Sequence, residues 1–232
     1  VIVWLASYPR SGNTYLRLVL HAAFGCATYT VYDDDDPVAQ RVGPRLLGYE
    51  PRPAPITEMA ASDRTYFVKT HRIRTDEFPA VVVVRDGRDA ITSYAHMRAA
   101  VTTSREATTN YREAFEREAE AQIDRSDTNT GSWGRNVLSW VEGAHPRREI
   151  LRFEDLVTRP LLAVAAASRM APGLAADLNP AIPTFAELHQ LDPGFFRRGI
   201  SGSYLDELPA RLLDRFWSIP DHRRAMEKFG YS

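Results

Sequence analysis

Five consecutive residues, Ala80-Val81-Val82-Val83-Val84, constrain this chain more than any other stretch. β-branched residues in a row without polar alternation suit a strand covered on both faces, the environment of a parallel sheet between two layers of helices. Residues 1–6 form a second apolar run of this kind. Loop signals follow at once in Pro9, Ser11, Gly12 and Asn13, and then Leu16, Val19, Leu20, Ala23 and Phe24 recur at helical spacing. Strand, glycine-containing loop and helix together open an α/β unit. Further strands are expected at 64–69 and 149–153. Helices are expected at 88–98 and 104–125, on the face shared by Trp133, Val137, Trp140, Val141 and Ala144, in segments after Pro160, and last at 209–218. Residues 26–63 carry prolines 37, 44, 51, 53 and 55 and read as irregular chain with a short helix near 38–47, and 192–208 reads as irregular. The fold class expected is α/β, a central parallel sheet flanked by helices, in one domain spanning 1–232.

Composition narrows the function classes. With 25% charged residues and a formal net charge of -1, the chain has no bulk basic field for nucleic acid or an anionic membrane, so any anion site must be local. No apolar run reaches the roughly 18 residues of a membrane span, and the opening run is too short for a signal peptide. Cys26 is the only cysteine, which rules out an intrachain disulfide and fits a cytoplasmic protein. There is no Cys/His cluster with metal-ligand spacing, so no metal is expected. Nucleic-acid and membrane partners are likewise not expected, and oligomeric state is not readable.

In an open parallel sheet, ligands bind beyond the carboxyl ends of the strands, and that is where the informative residues fall. The first strand leads into Tyr8-Pro9-Arg10-Ser11-Gly12-Asn13-Thr14. There Gly12 permits close backbone approach, the helix start offers free N–H groups to a phosphate, and Arg10 adds a cation. Read alone, the anion loop is favoured over the alternative of a helix cap with an incidental arginine. Lys69-Thr70-His71 ends a later strand and pairs a cation with a titratable imidazole; alone it reads more simply as a surface lysine and a packed histidine. The buried valine strand delivers Arg85, with Ser93 early on the next helix and Asp86 and Asp89 placed to buttress the arginines. Near the C-terminus, Phe195-Phe196-Arg197-Arg198-Gly199-Ile200-Ser201-Gly202-Ser203 suits a loop that closes over phosphate. The run Asp33–Asp36 reads as a solvated loop, with recognition of a cationic acceptor as the alternative; Trp133 and Trp140 read as core.

These clusters, in this order, resemble the sulfotransferases that use 3′-phosphoadenosine 5′-phosphosulfate (PAPS). The matching segments are Tyr8–Tyr15, Lys69–His71, Arg85–Tyr94, Phe153–Leu156 and Phe196–Gly202, together with Gly131-Ser132-Trp133 at a helix start. The resemblance implies a P-loop-like sulfotransferase fold and a set of roles. Arg10, Ser11, Gly12, Asn13 and Thr14 would hold the 5′-phosphosulfate. Arg85 and Ser93 would hold the 3′-phosphate with help from Arg197, Arg198 and Gly199. Tyr15, Phe153, Thr184 and Phe185 would surround the adenine, where aromatic stacking is worth about 1–3 kcal/mol per base. His71 would be the catalytic base, with Lys69 and Arg10 stabilising charge on the leaving group. Arg10 stands where the family often has lysine, and Gly202-Ser203-Tyr204-Leu205 stands where it has G-D-W-K. Residues 26–63 and 97–131, the expected acceptor-lining regions, match nothing in the family.

The implied reaction is a single in-line displacement that moves a sulfuryl group to a hydroxyl or amine. The expected acceptor is a small molecule or saccharide, with the two irregular stretches at the mouth favouring a bulky natural product. The rivals are a P-loop-type nucleotide kinase, disfavoured by the absent Walker spacing, and a catalytically inactive module binding 3′-phosphoadenosine 5′-phosphate (PAP).

Overall fold

The computed structural model describes residues 1–32, 36–105, 110–143, 147–177 and 179–231. In chain order the elements are β1 (Ile2–Ser7), α1 (Asn13–Phe24), β2 (Thr28–Thr30), α2 (Pro37–Val42), α3 (Pro44–Leu47), α4 (Ile56–Ala61), β3 (Tyr66–Thr70), β4 (Ala80–Val84), α5 (Gly87–Arg105), α6 (Tyr111–Ile123), α7 (Trp133–Val141), β5 (Arg148–Arg152), α8 (Phe153–Thr158), α9 (Leu161–Met170), α10 (Phe185–Leu191), α11 (Tyr204–Glu207), α12 (Ala210–Ser218) and α13 (Pro220–Phe229).

The five strands form one sheet in the order β2-β3-β1-β4-β5, with every pairing parallel. Because side chains alternate across a strand, the apolar runs feed two cores at once. Ile2, Trp4, Ala6, Val82 and Val84 face α5, α6, α7, α12 and α13, while Val3, Leu5, Val81 and Val83 face α1 and α9. A fully buried valine contributes about 1.5–3 kcal/mol relative to an exposed one, so this pattern is stable only with both faces covered. Trp133 is fully buried and Trp140 nearly so, both in the first of these cores, as expected. Among the described residues, no helix is long and apolar enough to cross a membrane.

The departures from expectation are local and have physical causes. The helix near 38–47 is two short helices, split at Gly43 (φ 98°) and restarted by Pro44. The helix expected over 104–125 is the end of α5 and a separate α6, begun by Asn110, whose side chain accepts from the Arg112 N–H. β2 has only three residues, too few for periodicity to reveal. α4, α8, α11 and α13 were not expected; α13 starts on Pro220 and ends at Gly230 (φ 64°). Of the acidic run, Asp33, Asp34 and Asp35 lie outside the described residues, as does Ala144. Asp36 is not solvated: it is 2% exposed and caps α2.

Candidate active site

The chain leaves β1 toward β3 on one side and reaches β4 on the other, so the crevice beyond β1 is the point where the winding of the sheet reverses. A cavity of about 270 Å³ opens there. Its walls include residues from the ends of β1, β3, β4 and β5, from α5 and from the C-terminal loop. Arg10, Gly12, Asn13, Thr14, Tyr15, Lys69, His71, Arg85, Ser93, Phe153, Phe185, Arg197, Arg198 and Gly199 all line it. Ser11 and Thr184 do not. Ser11 lies buried with an unpaired hydroxyl, and the Thr184 hydroxyl is engaged in the capping box of α10 with Glu187.

The loop after β1 is shaped for an anion. Gly12 caps α1 in the left-handed region (φ 104°) and supplies no side-chain acceptor, so the first-turn N–H groups of α1 are left for another partner. A Cβ at Gly12 would sit 2.7 Å from the Phe153 ring. The Asn13 side chain, expected to face a ligand, instead donates to the Leu5 carbonyl (2.8 Å) and staples the loop to its strand. Arg10 has φ 66°, a left-handed conformation that costs a non-glycine residue about 1–3 kcal/mol. It is held there by donation from Nε to Ser93 Oγ (3.1 Å), by donation to the Phe195 carbonyl, and by the Phe195 ring 4.2 Å below its guanidinium.

Arg85 is buried at the end of β4. It donates to the carbonyls of Arg10 (3.2 Å) and Ile200 (3.0 Å), lies 4.4 Å over the Phe153 ring, and keeps an unpartnered Nε. Among the described residues, no carboxylate lies within ion-pair distance of Arg10 or Arg85. Burial, and then the neighbouring cations Arg85, Arg41 and Arg197, lower the pKa of Arg10; burial lowers that of Arg85. Asp89, Glu154 and Asp86 oppose burial at Arg85, and Asp192 at Arg10, without outweighing it; positive charge away from water is costly, and an anion would relieve it. Arg197 and Arg198 already have one: both line the cavity and both pair with Glu207, at 2.9 and 3.1 Å.

His71 is held in one tautomer. Its Nδ1 lies 2.8 Å from the Ser7 carbonyl oxygen. A carbonyl only accepts, so Nδ1 carries the hydrogen and Nε2 the lone pair. The backbone of His71 is fixed by the Tyr32 hydroxyl (3.0 Å) and by the Asn136 side chain (2.9 Å). Burial, and then the charge of Lys69, push its pKa down to about 3, so the ring is neutral at physiological pH.

Asp86 pairs with Arg88 through both oxygens, as expected, whereas Asp89 supports the charges of Arg85 and Arg88 only from a distance and spends its hydrogen bonds elsewhere. Fully buried on α5, it accepts from the Gly202 N–H (2.8 Å), the Ser203 hydroxyl (2.9 Å) and the Tyr204 N–H (3.1 Å), and so anchors the C-terminal loop where the family's G-D-W-K is missing. Sequence reasoning also missed Glu207 and Asp36. Of these only Asp36 carried a local signal, the Asp-Pro step that opens a helix.

A family model described as the sulfotransferase domain matches residues 2–169. The chain belongs to the sulfotransferase family. The fold agrees: a mouse sulfotransferase, SULT7A1 complexed with PAP, superposes with a TM-score of 0.60 at 17% identity, covering 97% of this chain and 88% of that one. Retinol dehydratase in complex with androsterone and the inactive cofactor PAP superposes at 0.56 and 18% identity, covering 97% and 80%. No curated protein sequence matches. In this sulfotransferase the loop with Arg197, Arg198 and Gly199 lies beyond the matched residues, yet it closes the same cavity. Among the described residues, no group of three or more His, Cys, Asp or Glu is placed to hold a metal ion.

Proposed function

We propose that this sulfotransferase binds PAPS in the cavity beyond β1 and delivers its sulfuryl group to an acceptor hydroxyl or amine, with His71 as general base. One observation carries the reading: a neutral histidine with a free Nε2 shares a cavity with the buried Arg85 and the partly buried Arg10, neither of which has a carboxylate at ion-pair distance among the described residues. PAPS supplies the sulfuryl group and a bisphosphate leaving group, and the proposed reaction is a single in-line displacement. The open N-terminus of α1 and Arg10 suit the 5′ end of that donor, and Arg85 with its unpaired Nε suits the 3′-phosphate. Tyr15, Phe153 and Phe185 offer aromatic faces to the base. A Cβ at Gly199 would fall 2.3 Å from the Phe185 ring, so glycine is needed where the loop passes over it.

His71 Nε2 takes the acceptor's proton, and the Ser7 carbonyl, holding Nδ1–H, keeps the ring in the tautomer that can do so. Arg10 and Lys69 stabilise negative charge without moving, which is the contribution of preorganised charge in a water-poor site. The acceptor expected is a small molecule or saccharide, including bulky natural products. Incubation with PAPS radiolabelled in its sulfuryl group and a panel of phenols, alcohols, amines and saccharides tests the reading. Label should pass to at least one acceptor. Binding of PAP with no transfer to any of them, and no hydrolysis of PAPS, would leave only a nucleotide-binding module.

A further inference from the structure

The chain is almost without lysine. Of its 29 lysine and arginine residues only Lys69 and Lys228 are lysines. Lys228 lies exposed at the end of α13, whereas Lys69 lies in the cavity wall, two residues from His71. Even at position 10 this chain uses arginine, so the one compact ammonium near the site stands out chemically. Lysine is the cation whose charge responds to burial, whereas arginine stays charged.

What surrounds it is unusual too. The Lys69 side chain is 9% exposed, and its Nζ lies 3.2 Å from Oδ1 of Asp36. The other oxygen of Asp36 takes Arg17 Nη1 at 2.5 Å, and both of those side chains are fully buried. Arg17 is fixed in turn by donation from Nε to Thr28 Oγ1 (3.0 Å). Asp36 Oδ1 also accepts the Val38 N–H (3.1 Å), capping α2, whose Pro37 and Val38 line the cavity. One carboxylate thus joins α1, α2 and β3 and faces two cations. Burial works against its charge, but Lys69 and Arg17 outweigh it and hold its pKa below the ordinary carboxylate value. For Lys69 burial dominates and lowers the pKa, Arg17 adds to that, and Asp36 is the group that opposes it.

We infer that Asp36 is a positioning residue for sulfuryl transfer: it fixes the Lys69 ammonium in the cavity wall beside His71 and keeps it charged. The inference rests on the proposed function, because Lys69 acts there on the reacting groups. A removed carboxylate leaves two buried cations facing each other, and only the lysine can shed its charge.

The scarcity of lysine makes the test direct. Protein labelled with ¹³C,¹⁵N-lysine should give two side-chain signals, with Lys228 as internal control. In Asp36→Asn, the Lys69 titration should move to lower pH than in the parent while that of Lys228 stays put, and turnover at pH 7 should fall about 10²-fold with PAP affinity within about threefold of the parent. Adding Asp36→Asn to Lys69→Met should cost turnover little beyond Lys69→Met alone, since the carboxylate then has no ammonium to hold. An unmoved Lys69 titration, or multiplicative losses in the double variant, overturns the inference. Where Asp36→Asn does not fold, Asp36→Glu keeps the charge and displaces it; the Lys69 signal must then shift, and an unshifted one overturns the inference equally. A parent that transfers no label from PAPS fails the proposed function instead, and an active Lys69→Met with parental turnover overturns the role of Lys69 on which the inference depends.

Discussion

Two regions supply cations to the cavity, and they are held in different ways. The rim formed by the ends of β1, β3 and β4 carries Arg10, His71 and Arg85. Its geometry comes from the sheet: parallel pairing of β1 with both neighbours places three loop starts side by side. The C-terminal loop carries Arg197, Arg198 and Gly199 and pairs with no strand. It is tied down by side chains, through Asp89 to Gly202, Ser203 and Tyr204, through Arg85 to Ile200, and through Glu207 to both arginines. The loop depends on a few polar contacts, each worth about 0.5–1.5 kcal/mol, or about 1.5–3 kcal/mol where a charge takes part. In the proposed function, chemistry belongs to the rim and closure to the loop.

The sharpest way to break that division is to remove the proposed base. His71→Ala should lower turnover about 10²–10⁴-fold and leave PAP affinity close to parental, because the histidine touches no group assigned to the nucleotide. Steady-state rates on the folded variant, with calorimetry alongside, decide it. Near-parental turnover would move proton transfer to another group and leave the rim a binding surface only.

The loop half is tested at Asp89. Asp89→Asn keeps the size of the side chain but weakens charge-assisted bonds to three partners. It should lower PAP affinity about 5- to 20-fold, as the loss of about 1–2 kcal/mol of such bonding implies, and speed hydrogen exchange at the Gly202 and Tyr204 amides. Parental exchange at both amides would show that the loop is held by something other than this anchor.

The same contrast explains what was legible in the sequence. The rim could be read from physics, since uninterrupted valines announce a doubly covered strand and a glycine after a strand announces an anion loop. The parallel sheet follows from those two features. The loop was read from its arginines and glycines as one that could close over phosphate, but its residue roles came only through resemblance, because an irregular stretch has no periodicity to interpret. Its anchors were misread for a related reason. Asp89 sits one residue from Arg88 in sequence, and sequence distance suggested an ion pair; the backbone N–H groups of Gly202 and Tyr204 and the Ser203 hydroxyl, distant in sequence, take its oxygens instead. Asp36 was hidden in a run of four aspartates, where composition argues for solvent. Only the meeting of α1 and β3 shows that one of the four is buried between two cations. The pairing of Arg197 and Arg198 with Glu207 was not legible, since nothing in the sequence singled out Glu207.

The smallest effect expected is on stability against pH, and it too separates the regions. The folded-state pKa of His71 lies near 3 and that of His222, buried beneath Trp133, near 4, each lowered by burial from 6.5. Between those values and 6.5 the unfolded chain binds protons that the folded chain does not, so both histidines destabilise the fold as pH falls through that window, and their contribution is fully present above it. The His71→Gln variant should flatten the loss of melting temperature between pH 6.5 and 5 relative to the parent. An unchanged slope would mean that His71 titrates normally and is more open to water than its surroundings indicate. By the same sign, turnover should not decline as pH drops to 6.5, the ordinary midpoint of histidine.

The central claim, a nucleotide held at two separate phosphate positions beside a neutral base, is most directly tested by comparing PAP with AMP in calorimetry on the parent and on Arg85→Ala. AMP lacks only the 3′-phosphate. The parent should bind PAP more tightly than AMP by about 10- to 150-fold, the equivalent of about 1.5–3 kcal/mol for a charge-assisted bond, and Arg85→Ala should erase most of that difference while changing AMP affinity little. Equal affinities of the parent for the two nucleotides, or a preference for PAP that survives intact in Arg85→Ala, would contradict the account.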